Sequence, residues 1–250
     1  MANFESFRSD NWAEMNFDER VEALQDAENQ IAEEQGREPR TVVPDERCSE
    51  LNCNGYYSMD DPGNLHVNPD LIANDEGNYK CLQNVAHEGR HAYQHDCIEG
   101  KIENPGLSPD EISAMEHNSA AKDGVYLQGD GTFSINQAEY RFQPKEADAN
   151  DFAKQTLDEN AGQFEGDPAF EKHCADRDEQ TEKLGDLAEE HYGEDYKQAI
   201  QNKVEAQYQA NQQSVSQYNS SLESSPSAEQ SEAADQTESV SETVSEGQSY

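Results

Sequence analysis

The stretch "NVAHEGRHAYQHD", residues 84–96, carries three of the chain's seven histidines. Two of them, His87 and His91, stand four apart, with Glu88 directly after the first. On a helix, residues four apart lie on one face about one turn from each other, so both imidazoles can aim a ring nitrogen at a single cation. Glu88 then sits beside the ion rather than on it. A zinc hydrolase needs this arrangement. Neutral imidazoles hold the ion, and the adjacent carboxylate takes a proton from water whose pKa zinc lowers to about 7.

Catalytic zinc takes three protein ligands and keeps a fourth position open. The third must come from another segment, and "PKEADANDFA" is the best place to look. There Glu146, Ala149, Asn150 and Ala153 share one helix face, and the small alanines permit close approach of a second helix. Glu146 is therefore the predicted third ligand. If it shares an ion held about 2 Å from each ligand, its carboxylate lies roughly 3 to 4 Å from the ring nitrogens of His87 and His91. Asn150, one turn on, is predicted to hydrogen-bond a ligand. His95 reads as a surface or supporting histidine, because a fourth ligand would close the open position. Tyr140 and Tyr93 are candidate donors to an oxyanion, although packing is the commoner role for such residues. His66, His117, His173 and His191 read as ordinary surface or core histidines.

These side chains need elements to position them. Apolar residues recurring at threes and fours predict a helix over residues 11–36, stopped by Gly36. "GYYSM", the turn "DDPGN" and "LHVN" predict two strands of a small sheet before the histidine segment. The histidine helix itself is expected from Tyr79 to about Cys97, with Leu82, Val85, Ala86, Ala92 and Tyr93 as its apolar stripe. Pro109 opens a predicted short helix over 109–122, and "GVYLQGDGTFSI" reads as a hairpin around Gly129 to Gly131. A helix follows Pro144, and residues 168–213 read as one or two helices that partly pack on the core.

Beyond Ser214 the chain is Ser, Glu, Gln and Ala, with no Lys or Arg after Lys203. Such a composition buries too little apolar area to offset chain entropy, so residues 214–250 are expected to be a disordered acidic tail. The resulting division is a core domain over 1–160, a helical extension over 161–213 and the tail. Fifty-four acidic residues against 17 basic give a net charge of −37, which disfavours nucleic acid and anionic membrane partners. Mean hydropathy is −1.10, and no run approaches the roughly 18 apolar residues of a membrane span. No secretory signal is apparent at the N-terminus, so the expected location is cytoplasmic, with export by another route left open. Five cysteines without a CxxC pair read as free thiols, Cys48 and Cys53 being close enough in sequence to bridge in an oxidising compartment.

The order "NLHVNPDLI", "NVAHEGRH", "EADANDFA" resembles the ImmA/IrrE family of zinc metallopeptidases over roughly residues 55–155. "HEGRHAYQ" also resembles segments of zincin-like bacterial toxin and effector domains. The resemblance implies an α+β zincin-like domain, with Zn2+ held by His87, His91 and Glu146 and with Glu88 as general base and acid. The implied activity is hydrolysis of a protein or peptide substrate, whose extended chain is expected to pair with the strand near Leu65 to Asn68. Two other readings stay open: a zinc-stabilised binding or regulatory module without turnover, and a secreted zincin-type effector. Arg90 stands where the ImmA/IrrE pattern often has a small or apolar residue, and no helix-turn-helix module is apparent.

Overall fold

A computed structural model describes residues 3–119 and 124–223, with side chains through 217. The chain is α+β. Helices α1 (Ser9–Glu14) and α2 (Phe17–Gln35) occupy the segment predicted as one helix. The break falls at Met15 and Asn16 for a local reason. Asn16 accepts from the Asp18 and Glu19 amides while Glu19 reaches back to the Asn16 amide, a capping box that starts a new helix there. Gly36 ends α2 at a φ of +67°, a backbone region that glycine adopts without strain.

Strands β1 (Thr41–Pro44), β2 (Gly55–Tyr57) and β3 (Asn64–Val67) form one sheet in the order β1-β3-β2. β2 and β3 are the predicted antiparallel pair, with Tyr57 opposite Leu65, and β1 adds in parallel to the other side of β3. β3 is therefore central. Both of its edges are taken, which corrects the expectation that a substrate strand pairs with Leu65 to Asn68. Between the strands, α3 (Arg47–Leu51) carries Cys48, which with Cys53 is a buried free thiol.

After the short α4 (Pro69–Ala73), the histidine helix α5 spans Asn78–Ile98 and is buried along almost its whole length. Tyr79, Cys81, Leu82, Val85, Ala86 and Ala92 enter a core shared with Trp12, Leu24 and Ile31 of the N-terminal helices and with Leu65 and Val67 of β3. Its other faces bury Asn84, His87, Glu88, His91, Gln94, His95 and Asp96. Desolvated polar groups need internal partners. The polar side of α5 is thus a second interior surface, where its sequence pattern alone suggests a solvated face.

Helix α6 (Pro109–His117) starts at the Ser108–Glu111 capping box and ends short of the predicted residue 122; residues 120–123 lie outside the described ones. The segment predicted as a hairpin around Gly129 contains no strand. Instead, Gln143 accepts from the Leu127 amide and donates to the Leu127 carbonyl, and Gln137 accepts from the Asp130 and Gly131 amides. Side chains satisfy the backbone groups that a partner strand would otherwise take. That loop leads into α7 (Ile135–Phe142), followed by α8 (Pro144–Glu159), which packs along α5.

The predicted domain boundary at 160 does not interrupt packing. Phe164 and Phe170 join the main core, and Asp167 accepts from the Ser9 amide and the Tyr79 hydroxyl. Helices α9 (Pro168–Tyr192) and α10 (Tyr196–Glu223) close a second cluster in which Leu184, Ala188 and Ile200 pack on Ala138 and Phe142. α10 continues to Glu223, ten residues into the stretch expected to be disordered. The rest of the expected tail lies outside the described residues. No described helix is long and apolar enough to cross a membrane.

Candidate metal centre

The helical spacing places His87 and His91 one turn apart on α5, with their rings at 87° to each other. α8 lies against this turn and brings Glu146, in its first turn, between them. The Nε2 atoms of His87 and His91 are 3.1 Å apart, and Glu146 carboxylate oxygens lie 3.3 Å from the first and 3.0 Å from the second. All three side chains are buried, and one ligand atom from each falls within 4.8 Å of the others. Tetrahedral ligands about 2.0–2.1 Å from an ion are about 3.3 Å apart, so the three atoms have the spacing of a shared cation. Glu146 Oε2, 3.3 Å from His87 Nε2, is buried and accepts no hydrogen bond, which fits the donor set of a cation site. The buried His87–His91–Glu146 group can hold a metal ion.

Electrostatics suit this reading. Burial lowers the proton affinity of His87 and keeps its imidazole in the neutral form that ligates. Burial alone would raise the pKa of Glu146, but the two imidazoles reverse that and hold its carboxyl well below the usual carboxylate range. Tyr126, from the loop before α7, donates its hydroxyl to Glu146 Oε1 at 2.5 Å. Burial, then the Glu146 charge, push the Tyr126 phenol well above its ordinary pKa, so it remains a donor.

Glu88 faces the sheet side of α5. Its Oε2 accepts from the Tyr57 amide of β2 at 2.9 Å and its Oε1 from the Asn84 side chain at 3.2 Å. Burial, with the Glu146 carboxylate next, pushes its pKa well above the ordinary carboxylate value. A carboxyl so raised holds a proton more readily than an ordinary glutamate, which suits a group that takes and returns one. β2 comes this close because residue 55 is glycine: a Cβ there would stand 2.2 Å from Asn84 Oδ1.

Behind His91 runs a polar chain. Its Nδ1 meets Gln94 Oε1 at 2.8 Å, and Gln94 donates to the Lys145 carbonyl and to Asp148 Oδ2. Asp148 is also gripped by both prongs of Arg90, at 2.7 and 2.8 Å. Arg90, the departure from the ImmA/IrrE pattern, thereby clamps the helix of the two histidines to the helix of Glu146. It stacks on Tyr93 and Phe152 as it does so. Supporting bonds of this kind fix a ligand's tautomer and angle. Asp148→Ala is expected to weaken metal binding by about 10–100-fold, measured by competition with a chromophoric chelator, with the ligands themselves unchanged.

Other predicted residues fall differently. Asn150 donates to the Glu146 main-chain carbonyl at 2.7 Å, and so touches a ligand residue through its backbone. Tyr140 is buried and, with His87 and Glu146, lines a cleft of about 420 Å³. Tyr93 is away from that cleft, where its hydroxyl accepts from the Gly106 amide. His95, read as a surface or supporting histidine, is not at the surface: it is buried, with Nδ1 at 2.5 Å from the Tyr57 hydroxyl. Tyr126, Gln94, Asp148 and Asn84 were not predicted. For Gln94 a signal existed, since it lies three residues after His91 on the same helical face.

No family model, curated protein or solved structure matches the chain.

Proposed function

We propose that the protein is a zinc-dependent peptidase with a zincin-like active site, in line with the resemblance of its motifs to the ImmA/IrrE metallopeptidases and zincin-like effector domains. The observation that carries this reading is the convergence of His87, His91 and Glu146 at 3.0–3.3 Å beside a cleft, with a carboxyl of raised proton affinity next in sequence. Two imidazoles and a carboxylate suit zinc best. Bound zinc would supply Lewis acidity toward the scissile carbonyl and make water a nucleophile at neutral pH. Glu88 takes the proton from the attacking water and returns it to the leaving amine. Tyr126 keeps Glu146 oriented, and Tyr140 offers a phenol to the developing oxyanion. The segment 52–54, leading into edge strand β2 and lining the cleft through Asn52, Cys53 and Asn54, is where an extended peptide would run.

One observation favours a second reading, a metal-stabilised module without turnover: both Glu88 oxygens already accept bonds from the chain itself. The two readings separate on purified protein. The peptidase reading expects one zinc per chain, lost in His87→Ala, together with cleavage of a peptide library that stops on chelation and returns with zinc. Zinc without cleavage leaves the module, and a metal-free protein whose stability ignores chelators removes both.

A further inference from the structure

The cleft beside the metal centre reverses the charge pattern of the rest of the chain. Acidic residues outnumber basic ones 54 to 17 in the sequence. Yet Lys80 of α5, Arg141 of α7 and Arg177 of α9 all line the cleft, and Glu146, the metal-ligand candidate, is the single acidic residue among its described lining. In so acidic a chain, basic side chains normally find carboxylates. Arg90, Arg37 and Arg40 do, Arg90 joining α5 to α8 and the other two fixing the loop after α2 to Glu28 and to Asp96 of α5.

The cleft residues are less fully paired. Arg141 reaches Thr181 Oγ1 at 3.4 Å and forms no ion pair among the described residues; burial lowers its proton affinity, and the Asp151 charge nearby offsets only part of that. Arg177 uses Nε on Asp178 at 2.9 Å and Nη2 on Asp158 at 3.2 Å. Its Nη1 is left buried with no partner, in a side chain only 9% exposed. Lys80, at the exposed rim, also forms no ion pair among the described residues. A buried guanidinium N–H without an acceptor is costly, and planar guanidinium donors match a carboxylate two at a time.

We propose that this wall is a carboxylate subsite, in which Arg141 and Arg177, with Lys80 at the rim, bind an acidic side chain or free C-terminus of the substrate peptide. Its role in placing a scissile bond rests on the peptidase reading; the binding of the carboxylate does not. The surrounding negative charge repels acidic peptides from the outer surface, so recognition is concentrated in the cleft.

The test uses zinc-loaded full-length Glu88→Gln protein and calorimetric titration with end-blocked pentapeptides that differ by Glu, Gln or Lys at one position. A Gln peptide with a free C-terminal carboxylate completes the set. The Glu peptide, or the free-carboxylate peptide if the terminus is what is read, is expected to bind at least about tenfold more tightly than the blocked Gln peptide. Arg141→Gln is expected to bring that ratio to near one, and Arg141→Lys to restore part of it. Equal binding of all the peptides overturns the subsite. So does a preference that survives in each of Arg141→Gln, Lys80→Gln and Arg177→Gln. Cleavage of the same peptides by wild-type protein is read separately. Preference without cleavage removes the peptidase and keeps the subsite, whereas cleavage without preference removes the subsite alone.

Discussion

Glu88→Gln is expected to keep one zinc per chain and to lower kcat/KM by about 10²–10⁴, the range that a positioned proton-transfer group contributes. The substitution preserves shape and removes charge. Its amide oxygen can still accept from the Tyr57 amide, and rotation of the Asn84 side chain gives the new NH2 group an acceptor, so neither backbone nor ligands need move. Metal content by atomic absorption and the melting temperature check that the site is intact, and turnover of the library peptides supplies the kinetic readout. A pH titration of the metal-free protein adds a second handle. Burial and the Glu146 charge raise the Glu88 pKa, so the base form of the metal-free protein is lost at a higher pH than for an ordinary glutamate, as pH falls. A variant that turned over peptide as fast as wild type would remove Glu88 from the chemistry.

The parts of this site that were legible in the sequence are those fixed by one helix at a time. Helical geometry dictates that His87 and His91 share a face, and Pro144 starts α8 so that Glu146 falls in its first turn. The structure brings all three together. Less visible was what depends on packing between elements. The loop bearing Tyr126 has glycines and alternating apolar residues that imitate a hairpin, and only the side chains of Gln137 and Gln143, distant in sequence, reveal how its backbone is satisfied. β3 is central because β1, a run of four residues ending in Pro44, adds to its far side. Nothing local to β3 announces that neighbour. His95 reads as a surface or supporting histidine, and only the arrival of Tyr57 from the sheet decides between the two by covering it.

The largest loss of stability is expected from Arg37→Met. Arg37 holds both Glu28 oxygens, at 2.5 and 2.8 Å, and both side chains are fully buried. Glu28 also accepts from the Arg40 amide, while Arg40 in turn pairs with Asp96 of α5. Removing the guanidinium leaves the Glu28 carboxylate buried without its counter-charge, at a cost of about 3–5 kcal/mol. Urea denaturation with an unchanged slope is the measurement. Replacing the partner as well, in Glu28→Gln with Arg37→Met, is expected to recover part of the loss, because the stranded charge is gone. This pair explains the remaining letter of the histidine motif. Gly89 faces it, and a Cβ at that position would stand 2.6 Å from Arg37 Nη2 and 2.9 Å from Glu28 Oε2. Gly89→Ala must therefore displace the pair or α5 itself, and the turn that moves is the one between His87 and His91. Arg37→Met is expected to lower stability at the pair first. Gly89→Ala, which alters no charge, is expected to lower zinc affinity along with stability.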